Sequence, residues 1–594
     1  MNKPTCSFTV SALLSAWLLG VPAFAADQTH QNYNDRHHHG LKKGHNNDRG
    51  KAKGRFLEVQ LLGFNDYHGH VKTDAVGFRV NEGGGEYLSA KLAELRAGKK
   101  HSFTVAAGDL IGGSPAFSGL FRDEPSVESL NIMGLDISSV GNHEFDEGVD
   151  ELLRMQNGGC HPVDGCFFPE MPYAGAAFKW LAANVVSKYD AITTALPAYW
   201  IEKVEGVKIA FIGMTLEATD SLVAAAGIEG WEFLDEAETA NNLVPVLKDQ
   251  GVEAIVVLLH EGGNQVPSPG DYNACDNFEG PVAAINAALD PEIDAMITGH
   301  THQPYNCRLP DAAGNPRIVT SSYQYGRVVT EVNLVLNKND KDVVRGLSSA
   351  YNHAVVRDEL RPDPAVTAVI NKWQPLYDSF ANTVVGSITA DIDRGGNPSG
   401  SDRGVESAAG NLVADAQKTA TQTFGSQVAF MNPGGVRSDL EYAESSGEGD
   451  GNVTFGEAFT FQPFNNGLEV LTMTGAQIIA VLEEQCQPAG SSRPFLHLGV
   501  SDGFTYDLAK TIVNGDCTSV TISNVQLNGV PLDSGADYLV AVNSFLADGG
   551  DNFATFTLAA DRVTWGLDLD ALTTYLGDNS PVAPPATDRV NELN

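Results

Sequence analysis

Short apolar runs alternate with amphipathic stretches from Arg55 to about Leu336. Leu57-Glu58-Val59-Gln60-Leu61-Leu62 reads as a strand and Tyr87 to Leu95 as the helix after it, and repetition of that pair predicts β-α-β layering. Between Pro364 and Thr383 the apolar positions Val366, Val369, Ile370, Trp373 and Leu376 fall near helical spacing, with prolines at 362 and 364 marking the start. This predicts a connecting helix and a domain boundary near 350 to 380. Beyond it, Val384-Val385-Gly386-Ser387-Ile388 reads as a strand, Ala408 to Thr419 as a helix, and the remainder as short strands with glycine turns. That is a second α/β domain. No internal repeat or heptad pattern supports a solenoid or scaffold.

The two ends read differently. Lys3, the apolar stretch Val10 to Leu19 and the small-residue site Ala23-Phe24-Ala25 have the order of an export signal cleaved near Ala25, which predicts a secreted or periplasmic protein. Residues 26–54 are polar and histidine-rich, with nothing to bury, and read as a disordered leader that could capture metal weakly. No other stretch is apolar enough to span a bilayer, and the C-terminus has no lipid-anchor tail. With 594 residues and 42% hydrophobic content, at least two folded domains are expected. The formal charge of -37 opposes binding of nucleic acid polymers, so a small anionic substrate needs a locally positive site. Removal of Cys6 with the signal leaves an even number of cysteines. Proximity in sequence suggests Cys160 with Cys166, Cys275 with Cys307 and Cys486 with Cys517, among 15 possible arrangements of six cysteines.

The candidate chemistry is positional. Five apolar segments of the first domain each run into Asp, Asn or His: Leu61 to His68, Phe103 to Asp109, Ile137 to His143, Ile255 to His260 and Ala295 to His302. If these are strands, their ligand-type side chains collect at one edge of the sheet, where open α/β sheets bind ligands. Asp66 and His68, like His300 and His302, are two apart; on an extended chain each pair shares a side and can reach one ion. Gly63, Gly108, Gly141 and Gly299 precede these positions and permit tight turns and close backbone approach. One such histidine alone is more often a surface or core residue; five repeated placements reverse that. The oxygen and imidazole set, without thiolate, suits Zn, Mn, Fe, Co or Mg without choosing among them.

Asn65-Asp66-Tyr67-His68-Gly69, Gly108-Asp109, Gly141-Asn142-His143-Glu144-Phe145-Asp146 and Gly299-His300-Thr301-His302 resemble the successive blocks of the calcineurin-like metallophosphoesterases, specifically the 5'-nucleotidase and UDP-sugar hydrolase branch. The resemblance implies an N-terminal four-layer α/β/β/α domain (55–350), a linker helix (351–383) and a C-terminal α/β substrate-binding domain (384–594). It also implies two divalent metal ions, one held by Asp66, His68, Asp109 and His302, the other by Asp109, Asn142, His260 and His300. Two such ions lower the pKa of a shared water and neutralise phosphate oxygens, so that hydroxide attacks phosphorus. His143 would assist the transition state or leaving group, oriented by Asp146, for which helix capping is the plainer alternative.

Asn432-Pro433-Gly434-Gly435-Val436-Arg437 and Phe545-Leu546-Ala547-Asp548-Gly549-Gly550-Asp551-Asn552 are similar to the branch's substrate-binding blocks. By that resemblance Phe464 and Phe545 stack on the base, Arg403 and Arg437 grip phosphate, and Asn432 and Asp551 bond base and ribose. Asn411 matches a family position to which no role is assigned. Asn552 stands where the family has glycine; asparagine tolerates the left-handed backbone, so the turn can survive. The reading is a secreted hydrolase of nucleoside 5'-monophosphates, with nucleoside di- and triphosphates or UDP-sugars as further substrates. The alternatives are a 2',3'-cyclic-nucleotide 2'-phosphodiesterase/3'-nucleotidase, or a secreted metal- or nucleotide-binding protein without turnover.

Overall fold

The computed structural model describes residues 54–73, 81–190, 192–266, 271–445 and 447–593. The export signal and histidine-rich leader lie outside the described residues, apart from Gly54. In the first domain the expected strands form, but they divide between two sheets. Phe56–Phe64, Ser102–Ala107, Ile137–Ser139 and Lys179–Leu181 run parallel in a seven-stranded sheet, which Val328–Asn337 extends antiparallel to Phe56–Phe64. Val207–Thr215, Ala254–His260, Ala295–Thr298 and Pro316–Ser322 run parallel in a six-stranded sheet. Ala254–His260 and Ala295–Thr298 show no polar alternation because both of their faces are covered, whereas Phe56–Phe64 starts with alternation and leaves Glu58 exposed.

Val59, Leu61, Val105 and Leu334 of one sheet meet Phe211, Val256, Leu258 and Ile297 of the other in a dry layer between them. Gly63 belongs here: a Cβ on it would lie 3.2 Å from Ile297, so its small size serves sheet packing rather than the turn expected of it. Helices Gly85–Arg96, Glu124–Met133 and Val149–Asn157 cover the outer face of the first sheet through Leu88, Leu92, Val127, Leu130 and Leu152. Glu236–Asp249 and Pro281–Ala288 cover the second through Ala240, Val244, Leu247 and Val282. These are the four layers α/β/β/α.

The helix expected at 364–383 is Pro364–Ala381, started by the Asp363 side chain accepting from Ala365 N at 2.8 Å. Its Val366, Val369 and Trp373 are buried in the first domain's outer core, against Phe121 and Phe167. The connector is thus packed as an integral layer of that domain. Beyond it, Val428–Met431, Gly467–Thr474 and Asp537–Asn543 make the centre of a five-stranded sheet. Helices Ala408–Ala420 and Asp568–Asn579 cover one face. Helix Gly475–Glu483 and the strand Phe504–Val513 of a four-stranded sheet cover the other. Disulfides join Cys160 to Cys166, Cys275 to Cys307 and Cys486 to Cys517, the three pairs suggested by sequence proximity. No helix among the described residues is long and apolar enough to cross a membrane.

Candidate metal and nucleotide site

The five apolar segments bring their polar ends together, across the mouth of both sheets rather than along one edge. The ligand residues do not sit on extended backbone. Asp66, His68, Asp109, His300 and His302 have φ of 50°, 45°, 51°, 68° and 54°, in the left-handed region that side chains bearing a Cβ rarely occupy. Strain of roughly 1–3 kcal/mol at each such residue persists only when the surroundings enforce it. Here Asp66 N donates to Gly108 O at 3.1 Å, His68 N to Asp109 O at 3.0 Å, and His300 N to the Asp66 carboxylate at 3.1 Å. Gly108 (φ 79°) must be glycine, because a Cβ there would come within 2.5 Å of Gly141 N and 2.7 Å of the His260 ring.

Side-chain ligand atoms of Asp66, His68, Asp109 and His302 lie within 4.8 Å of one another, as do those of Asp109, His260 and His300. Asp109 belongs to both groups. His302 and His300 fall into different groups, against the spacing argument for that pair, whereas Asp66 and His68, also two apart and also left-handed, share one. Asn142 Oδ1 is 3.0 Å from His300 Nδ1, at the edge of the second group.

Ring orientation fits a bound cation. His68 Nδ1 is 2.8 Å from Gly112 O and His260 Nδ1 is 2.7 Å from Ala107 O, so each backbone carbonyl accepts the Nδ1–H and turns Nε2, the lone-pair atom of a neutral ring, inward. The His68 and His302 Nε2 atoms approach to 3.1 Å. His260 Nε2 lies 3.0 Å from Asp109 Oδ2, yet it is buried without a hydrogen bond. Converging lone pairs and carboxylates of this kind fit a divalent ion. Burial holds the His68, His300 and His302 imidazoles well below the usual histidine range, which keeps them neutral as ligation requires. Burial would raise Asp109, but His260, His143 and His68 around it hold its carboxyl well below the ordinary range. Burial opposes charge on His260 too, but Asp109 pushes it up to about 10, so positive charge is favoured at this spot.

Glu144 was singled out by no sequence argument, although it stands inside a motif. Its buried carboxylate accepts Asp109 N at 2.9 Å and Leu110 N at 2.7 Å, and also Gly141 N. It ties together the loops that carry Asp109 and Asn142. One position before it, the short 3-10 turn His143–Phe145 presents His143, whose Nδ1 lies 2.8 Å from Asp146 Oδ2. Asp146 Oδ2 also accepts Gly113 N at 3.1 Å.

A cleft of about 910 Å³ joins Asn142, His143, His300 and His302 to residues of the second domain. There the Phe464 ring lies nearly parallel to His143, at 16° and 5.8 Å between centroids. The Arg437 guanidinium is 5.8 Å above Phe464. Phe545 packs against Gly550, where a Cβ would come within 2.5 Å of the ring. Asn432 Nδ2 donates to Asp551 Oδ2 at 3.0 Å. Asp551 and Asn552 have φ of 55° and 63°, so asparagine does hold the turn where glycine was expected. Asn552 Nδ2 also donates to Gln487 Oε1 at 2.9 Å, and Gln487 Nε2 to Asp551 O at 3.0 Å. Asn411 lies elsewhere: it bonds Glu406 and Ala586 O and accepts Val500 N, a purely structural set of contacts.

Arg403 and Arg437 line this cleft, and the structure adds Arg493. Neither Arg403 nor Arg493 has an ion-pair partner among the described residues. Burial and the mutual repulsion of the three cations push Arg403 well below the ordinary arginine range and Arg493 in the same direction. Partly buried cations without an ion-pair partner mark a place for an anion. Sequence reading missed Arg493 because an arginine between serine and proline carries no pattern.

Residues 59–304 match the family described as calcineurin-like phosphoesterase, and residues 384–558 match the 5'-nucleotidase C-terminal domain. The cell wall protein Lmo0130 of Listeria monocytogenes is 32% identical over 88% of this chain and 67% of its own length. The endonuclease YhcR of Bacillus subtilis is 32% identical over 89% of this chain but only 40% of its own length, so the chain spans less than half of that relative. The 5'-nucleotidase precursor of Thermus thermophilus superposes with a TM-score of 0.73 at 22% identity, over 91% of this chain and all of that one. The chain belongs to the 5'-nucleotidase family of calcineurin-like metallophosphoesterases, hydrolases acting on phosphoric ester bonds. Members use divalent metal ions, in keeping with the ligand cluster.

Proposed function

We propose that this protein is an exported phosphohydrolase that converts nucleoside 5'-monophosphates to nucleoside and phosphate with two divalent ions, accepting di- and triphosphates and UDP-sugars more weakly. The observation that carries the reading is one cavity bordered by Asp109, Asn142, His300 and His302 of the ligand cluster, by the His143–Asp146 pair, by Arg403, Arg437 and Arg493, and by Phe464 and Phe545. Phosphate is the anion that suits both the ligand cluster and the guanidinium forks.

Asp66, His68, Asp109 and His302 would hold one ion and Asp109, Asn142, His260 and His300 the other, with Asp109 between them. When bound, such a pair of ions activates water and neutralises phosphoryl oxygens. The chain's own residues supply the rest. Arg403 and Arg437 draw the phosphate to the wall beside His302 and withdraw charge from its oxygens. Phe464 and Phe545 hold the base, with stacking of about 1–3 kcal/mol per base. Asn432 and Asp551, already bonded to each other, present edges to base and ribose. His143 donates Nδ1–H to Asp146, so Nε2 faces the cleft; in the imidazolium form its Nε2–H can donate to the phosphoryl oxygens or pass to the departing ribose oxygen, leaving the neutral ring. Domain 384–594 would bring the nucleoside to the ions, with a hinge at Asn382–Thr383, where the packed helix ends.

The test is hydrolysis by the mature chain, with and without chelator, read as phosphate or nucleoside release from AMP, 3'-AMP, 2',3'-cyclic AMP and UDP-glucose and as sulfate release from a thiosulfate ester. Chelator-sensitive release dominated by AMP supports the proposal. Dominance by 2',3'-cyclic AMP or another substrate overturns the assignment of substrate, and no release after metal reconstitution favours a binding protein.

A further inference from the structure

Residues 487–493 of the second domain lie in none of the motif blocks, yet all of them line the cleft that holds His143, His300 and His302. Gln487-Pro488-Ala489-Gly490-Ser491-Ser492-Arg493 is made of small and turn-forming residues, and Pro488, Ala489 and Gly490 are exposed. Such a segment has little of its own to fix one conformation, and ordering it costs entropy. At its end Arg493 borders this cleft and a neighbouring one, together with Gly113, His302, Arg403 and Arg437. The position of the loop therefore decides where that guanidinium stands.

The root of the loop is closed on itself. Cys486 bridges antiparallel to Phe495, and Gln487 N donates to Pro494 O at 3.0 Å. The buried Gln487 side chain ties this root to the turn at Asp551 and Asn552. The middle of the loop is held from outside: Gly490 N donates to Asp516 Oδ1 at 2.8 Å, and Cys517, next to Asp516, is joined to Cys486. Asp516 and Cys517 sit at the turn between strands Phe504–Val513 and Asp516–Leu527. That hairpin is rooted in the second domain's core through Phe504, Tyr506 and Leu508, whereas Ile512 and Val513 toward its turn are exposed. The disulfide brings the turn to the loop, and Asp516 then takes the loop's backbone. The turn also abuts the first domain, where a Cβ on Gly515 would lie 3.8 Å from the Glu279 carboxyl carbon.

We infer that the Cys486–Cys517 disulfide and Asp516 are positioning groups for substrate: they hold the 487–493 loop so that the Arg493 guanidinium faces the phosphate gripped by Arg403 and Arg437. This rests on the phosphomonoesterase reading above and adds to it a phosphate contact that the motif blocks do not supply. A guanidinium on a fixed loop gives up little freedom when it bonds an oxyanion. One on a released Gly-Ser-Ser segment must be ordered by the substrate, which weakens binding. Neither cysteine nor Asp516 is among the described residues lining either cleft, so their loss acts by way of the loop.

The experiment is a double-mutant cycle on the metal-reconstituted full chain, reading kcat/KM for AMP and, by calorimetry, the affinity for inorganic phosphate. Arg493→Ala should weaken both about tenfold or more, the loss of a hydrogen bond to a charged group. Cys486→Ser together with Cys517→Ser should weaken both in the same sense. Asp516→Ala, which leaves the disulfide in place, should do so more mildly, and it keeps the test decisive if the serine variant fails to fold. In the Arg493→Ala background neither change should lower either quantity by more than about a further twofold, because groups that act through one another are not additive. Full additivity marks a merely structural disulfide and overturns the inference, as does an Arg493→Ala protein, or a pair of loop variants, with the parent's phosphate affinity. No turnover of AMP by the parent overturns the phosphomonoesterase reading, and the phosphate affinities then decide for or against the loop on their own.

Discussion

Removing the Glu144 carboxylate should loosen the ligand cluster without touching a ligand. Three buried backbone N–H groups, from Asp109, Leu110 and Gly141, end on its two oxygens. Glu144→Ala leaves them without acceptors, and each orphaned buried donor costs about 1–3 kcal/mol, so the total is about 3–9 kcal/mol, less whatever entering water restores. Against a typical domain stability of about 5–15 kcal/mol, that is a large fraction. Glu144→Gln keeps the shape and one acceptor oxygen but turns an NH2 group toward donors, so its effect should fall between parent and alanine. Because the pinned loops carry Asp109 and Asn142, metal affinity should weaken about 10- to 100-fold, the usual effect of losing a residue that orients ligands. Urea unfolding, with and without divalent ion, reads the first effect and calorimetric metal titration the second. A Glu144→Ala protein with the parent's unfolding midpoint and metal affinity would refute the argument, as would a glutamine variant as damaged as the alanine one.

His143→Ala should reduce kcat on AMP about 10²- to 10⁴-fold while metal content by elemental analysis stays that of the parent; a binding protein would be indifferent to the change. Arg437→Ala and Arg403→Ala should each lower kcat/KM about 10- to 150-fold, the loss of a charged hydrogen bond of about 1.5–3 kcal/mol, and Arg437→Lys should not fully restore it because the fork is lost. Phe464→Ala should raise KM for AMP by a factor corresponding to about 1–3 kcal/mol of stacking, with little change for an aryl phosphate that lacks a base. Chelation should abolish phosphate release and lower the unfolding midpoint, and added divalent ion should restore both, since binding to the folded state alone stabilises it.

The sequence by itself determined much of this molecule. Apolar runs too short for helices fix strand identity locally, so the placement of Asp66, Asp109, Asn142, His260 and His300 at strand ends was legible in the chain alone. The connecting helix was legible too, because Asp363-Pro364 followed by Val366, Val369 and Trp373 is both a start signal and a buried face. Only the tertiary structure decided which sheet each strand joins. Parallel strands buried on both faces have no polar side to reveal their neighbours, and Gly63 acquires its meaning only from Ile297 in the opposite sheet. Backbone handedness was equally hidden: the left-handed turns at Asp66, His68 and His300 are held by hydrogen bonds between distant loops, and nothing in a spacing of two shows that Asp66 and His68 meet in one group while His300 and His302 part. Glu144 and Arg493 were invisible for a related reason. A carboxylate that ties loops and a guanidinium left without a partner are defined by what surrounds them, and those surroundings come from segments far apart in the chain.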